Sequence, residues 1–157
     1  MEPWGNEHRK KRMTEETAQK PSRWFRRLAI AAILWNLMGC MMFLVEVFAQ
    51  ESAMESMSEE QKEWARSIPS WVYFAYAIAV ASGLTASIGL LMRKSWAVCL
   101  FSVSLLAVVA QMSASMFAYD GLQIMGPSSA AMPTLIIIIA AALLWYSRLA
   151  KSRTWLN

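Results

Sequence analysis

The chain has 157 residues, 57% of them apolar and only 17% charged, with 15 Lys and Arg against 11 Asp and Glu for a net charge of +4. Soluble domains carry about 25% charged residues and less apolar weight, so the composition excludes an ordinary soluble domain. A basic balance would suit a phosphate-binding protein, but the placement of the charges argues against nucleic acid as a partner.

Residues 1–27 form a polar tail with eight basic residues, Arg9, Lys10, Lys11, Arg12, Lys20, Arg23, Arg26 and Arg27, and with Pro3 and Pro21. Nothing in it suggests a core, which predicts disorder up to Trp24. Trp24 and Phe25, set among arginines, suit the interface where a membrane helix begins.

Four windows of 22, 22, 23 and 20 residues follow, Leu28–Ala49, Trp71–Met92, Trp96–Ala118 and Ser128–Ser147, and Glu46 is the single charge within them. A bilayer core about 30 Å thick needs roughly 20 helical residues to span it, so each window predicts a transmembrane helix. The expected fold is all-α: an integral membrane bundle of four helices, up-down-up-down, over residues 28–149, with 150–157 as a short C-terminal segment. Thirteen of the 15 basic residues fall on one side of such a thread, Lys62 and Arg66 being the exceptions. The positive-inside rule makes that side the cytoplasm and predicts both termini there. No cleavage pattern follows the first window, so it is expected to stay as a span rather than leave as a signal peptide.

Between the first two spans, residues 50–70 carry Glu51, Glu55, Glu59, Glu60 and Glu63. Ser58 and Gln61 have capping-box spacing, and Met57, Trp64 and Ile68 share one helical face, which predicts a short amphipathic helix in the first outer loop, ended by Pro69. It reads either as a lid over an opening or, preferably, as a connector resting its apolar face on lipid.

The second span carries small residues at Ala75, Ala79, Ser82, Ala86 and Gly89, steps of four and three that predict a seam against another helix, in this chain or a second copy. Arg93–Lys94–Ser95 is short enough to make spans two and three antiparallel neighbours. Pro133, in the first turns of span four, predicts a local kink.

Within the membrane, Glu46 is the costly residue, though it lies close to the outer end of its span. Asn36 and Gln111 each bring an amide that needs partners in hydrocarbon. Ser104, Val108, Gln111 and Ser115 form a weakly polar stripe on span three. Two readings follow: Glu46, Asn36 and Gln111 line a small polar cavity open outward, or they supply interhelical hydrogen bonds that hold a bundle without binding anything.

Cys40 and Cys99, at depths of roughly 18 Å and 5 Å from the inner side, are too far apart for a disulfide and read as apolar fillers. Met38, Met41 and Met42 beside Cys40 invite a Cu(I) reading, but no histidine or second cysteine completes the set. His8 is the only histidine. No nucleophile–base pair, phosphate loop or metalloprotease motif is present, so no metal, cofactor or enzyme activity is expected.

The segments PSRWFRRLAIAAILWNLMG at 21–39, GLLMRKSWAV at 89–98 and LLAVVAQM at 105–112 resemble a family of short bacterial inner-membrane proteins. The likeness covers most of residues 20–150. It implies four spans and an inner-membrane location; the family often carries the label sugar transporter, for which only Asn36, Gln111 and Glu46 could contribute polar contacts. The expected function is an accessory or interaction subunit working through helix–helix contacts. The alternative is a small-solute transporter, a homo-oligomer because four short spans enclose little volume. Its expected partners are the lipid bilayer and either a second copy or another membrane protein.

Overall fold

A computed structural model describes residues 23–156, and every regular element among them is helical. The tail over 1–22, with the basic run 9–12, lies outside the described residues. Four helices are long and apolar enough to cross a membrane.

Helix α1 (Arg23–Phe48) is followed by the single turn α2 (Gln50–Met54) and by α3 (Glu59–Ser67). Ser58 caps α3: its hydroxyl accepts from the Gln61 backbone N–H at 3.3 Å, and the Gln61 side chain accepts from the Ser58 N–H at 3.1 Å. Ile68 is extended, as a residue before proline must be, and Pro69 starts α4 (Ser70–Leu91). Helix α5 (Ala97–Ser113) passes into a π-helical turn over Ala114–Ala118, which the sequence pattern does not predict. The short α6 (Gly121–Met125) and a 3-10 turn over Pro127–Ala130 lead into α7 (Ala131–Ser152). Pro133 therefore sits in the first turn of α7, where its missing N–H costs nothing, and a 3-10 turn directly precedes that helix.

Contacts between α4 and α5 descend one helix as they climb the other: Gly89 lies against Trp96 beside the connecting turn, and Ser104 donates to the Ala79 carbonyl further along. In the most apolar stretch of α4, 33% of residues are buried, against 11% in α1 and 6% in α7. Helices α4 and α5 are thus the centre, with α1 packed on α4 and α7 on α5.

The core lies at one end of the bundle, where Phe25, Ala29, Ala86, Leu90, Ala97, Phe101, Leu144, Ala150, Trp155 and Leu156 pack together. This is the basic end. Phe25 turns inward, edge-on to Trp155 with centroids 5.8 Å apart, while Trp24 stays exposed with the Arg27 guanidinium over its ring. Both α4 and α7 finish here in the same Schellman cap. Arg93 and Lys94 donate back to Leu90 and Gly89; Thr154 and Trp155 donate back to Lys151 and Ala150. The left-handed residues are Arg93 (φ 61°) and Thr154 (φ 58°), where glycine is usual. The second cap turns Trp155 and Leu156 under the bundle, and Arg93 Nε donates to the Trp155 carbonyl at 3.0 Å.

At the opposite, loop end, Trp64 of α3 packs on Gly121 of α6, where an added Cβ would come 2.9 Å from the indole. The apolar face of α3 thus rests at least partly on the protein.

Candidate functional site

Three helices are clasped near the middle of the bundle by hydrogen bonds around one glycine. Asn36 of α1 donates through Nδ2 to the Ala32 carbonyl at 2.9 Å and to Ser87 Oγ on α4 at 3.0 Å. Ser87 in turn donates to the Gly83 carbonyl at 2.8 Å, and Ser104 of α5 donates to the Ala79 carbonyl at 2.7 Å. Gly83 stands between them: a Cβ there would overlap Asn36 Oδ1 and come 2.9 Å from Ser104 Oγ. Polar groups that would be costly in hydrocarbon are paired inside the protein.

Beyond the clasp, α1 and α7 part. They meet at the basic end, where Phe25 and Tyr146 centroids are 6.2 Å apart, and then flank a cavity of about 260 Å³ backed by α4 and α5. Its closed end is floored by Phe101, only 2% exposed, with Trp35 and Leu143 beside it. Met38 and Met42 of α1 and Met132 of α7 line it too and are 47%, 58% and 61% exposed, so they form an open rim. The remaining wall is mostly aliphatic, with Val80, Val108, Ile136 and Ala140. Of its two hydroxyl-bearing residues, Ser104 is bonded to Ala79, while Tyr76 has the ring of Phe43 set edge-on to its own, centroids 5.1 Å apart.

The three residues proposed for a polar cavity are not brought to one wall. Asn36 lines the cavity, but its N–H groups are engaged in the clasp. Glu46 is exposed in the last turn of α1, outside the cavity lining. Gln111 is buried on α5, 7% exposed, outside the cavity lining. The cavity is apolar because its amide is turned to packing.

The small-residue seam of α4 is used within the chain. Ala79, Ala86 and Gly89 are buried, Gly89 under the Trp96 ring, while Ala75 and Ser82 are half-buried. The position with no room for a Cβ is Gly83, one residue beyond Ser82, whose hydroxyl bonds back to its own helix. Gly83, Ser87 and Tyr76 carry no motif signal; the one legible hint is that Gly83 and Ser87 are four residues apart, on one helical face.

A second crevice opens at the loop end between α3 and residues 118–124, lined by Glu60, Glu63, Trp64, Tyr119 and Asp120. Cys40 and Cys99 are both free, and Cys99 is exposed on α5.

No protein-family model, no curated protein and no solved structure matches this chain. The fold and the cavity are therefore the basis for any functional reading.

Proposed function

We propose that the chain is a four-span protein of the bacterial inner membrane, up-down-up-down, with both termini in the cytoplasm, and that it works by holding a membrane-dissolved apolar molecule between α1 and α7. The orientation rests on the charges, since all but two of the 15 basic residues share one side of the thread. The α3 helix is then external, and the methionine rim of the cavity faces the outer half of the bilayer.

One observation carries the binding reading. The bundle has a closed core at its basic end, yet leaves a cavity of about 260 Å³ among four helices at the other. Helix bundles put ligand sites between their helices, and an apolar lining selects an apolar ligand. The mostly hydrocarbon wall favours this over passage of a hydrophilic solute, and it uses no catalytic group.

Native mass spectrometry of the full chain, extracted mildly from its own membranes, tests it. The wild type is expected to carry a small-molecule adduct that Ala140→Phe, which fills the cavity, loses. No adduct in the wild type overturns the reading.

A second reading is an accessory subunit acting through helix–helix contacts. It is favoured by the lightly buried outer helices, on which Leu34, Phe48, Ile138 and Trp145 are 62%, 82%, 58% and 67% exposed. The same spectra count copies and companions: a stoichiometric second protein without an adduct selects this reading, and a homo-oligomer with an adduct selects the first with several cavities per assembly.

A further inference from the structure

We infer that the occupant of the cavity is one hydrocarbon chain of a phospholipid from the leaflet at the loop end, inserted tail first between α1 and α7. The inference rests on the binding reading above and names its ligand class.

Shape argues for a chain. The lining runs from Phe101 to Met112 on α5 and from Met132 to Leu143 on α7. Eleven helical steps are about 16 Å at 1.5 Å per residue. A volume of about 260 Å³ distributed over about three turns of helix is a narrow, elongated space, the form of an extended chain.

Direction follows from which end is closed. Phe101 is buried at the floor, and below it Phe25, Tyr146 and Trp155 pack ring on ring. The exposed methionines lie at the other end and along the side. Their flexible, polarisable thioethers suit a chain whose position and conformation vary. Chemistry agrees with shape: Asn36 and Ser104 donate to groups within the protein, which leaves a wall that gains by covering methylenes. Tyr76 also lines this wall, where a phenol can donate to a lipid ester carbonyl near the mouth.

The full chain is reconstituted in phospholipid vesicles containing a trace of phospholipid with a diazirine at the end of one acyl chain, irradiated, and mapped by peptide mass spectrometry. Carbene insertion at the closed end, on Phe101 and Leu143, is expected to exceed that on Phe74 and Leu106, which are 70% and 71% exposed on outward faces. The expected excess is roughly tenfold, the ratio that about 1.4 kcal/mol of preference produces. Ala140→Phe should abolish the excess, and Ile136→Trp serves if that variant does not fold. Equal labelling of all four positions overturns the inference. A small photoreactive arene dissolved in the same vesicles separates the two levels of claim. If it favours the cavity while the lipid does not, the binding reading stands and the acyl chain is wrong; if neither does, both fall.

Discussion

The amide of Asn36 occupies the space that a side chain at Gly83 would fill, so that α1 approaches α4 only because position 83 has no Cβ. The contact joins residues far apart in sequence and sets the spacing of three helices, since Ser104 of α5 lies 2.9 Å from the same hypothetical Cβ. Asn36 and Ser104 of this clasp also line the cavity.

Gly83→Ala should therefore destabilise the protein by about 1 to 3 kcal/mol, the usual cost of overpacking a close contact. Gly39→Ala is the control, because its Cβ would meet only Val80 Cγ1 at an ordinary 3.6 Å. Thermal unfolding in detergent of the two variants, side by side, checks the difference.

Asn36 and Ser87 should couple. In a double-mutant cycle of Asn36→Ala with Ser87→Ala, the interaction energy is expected at about 0.6 to 1.7 kcal/mol, the range of hydrogen bonds between membrane helices. Coupling near zero would mean that the 3.0 Å bond is replaced without loss by other partners.

Thr154 holds a left-handed conformation, φ 58°, at the cap that turns Trp155 into the core. A β-branched residue is disfavoured there, so Thr154→Gly should raise stability by about 1 kcal/mol. Ser152→Gly, inside the last turn of α7, should instead lower it by about 0.5 to 1 kcal/mol. Opposite signs in paired melts support the Schellman cap; equal signs count against it.

Lys62 donates to Glu59 at 2.7 Å, and this hydrogen bond with the Lys62 charge holds the Glu59 carboxyl below its ordinary value of 4.5. A lowered carboxyl favours the folded state above its unfolded value, and that contribution is lost as the pH falls through the lowered one. Carbon-detected NMR titration should find Glu59 below the ordinary value, and Lys62→Gln should move it back up. Glu59 is exposed and Lys62 only half-buried, so global stability should change little.

Orientation has its own test. With Cys40 and Cys99 replaced by serine, a cysteine at Ser58 should react with an impermeant thiol reagent on intact cells. One at Ser95 should react only after the membrane is opened. The reverse pattern would place the termini outside.

Much of the architecture was legible locally. Four charge-poor windows of membrane length correspond to α1, α4, α5 with its π turn, and α7, and the Ser58–Gln61 spacing gave the cap that is found. The candidate site was less legible. Asn36 brings an amide that needs partners and has them, but Glu46 and Gln111 do not join it on the cavity wall. Their spacing along separate helices carries no information on how those helices rotate against each other.

Hydropathy along the chain is enough to show that it forms long apolar helices, roughly which stretches form them and which end is basic, although α1 starts at Arg23 rather than Leu28 and α7 runs on to Ser152 rather than Ser147. These follow from hydropathy, length and short-range capping, all of which act within a few residues. Packing between distant residues settles that Gly83 has no room for a Cβ, that Trp155 folds back into the core, and that a cavity remains between α1 and α7. Those depend on helix rotation and side-chain volume at contacts between residues dozens of positions apart, which no local pattern encodes.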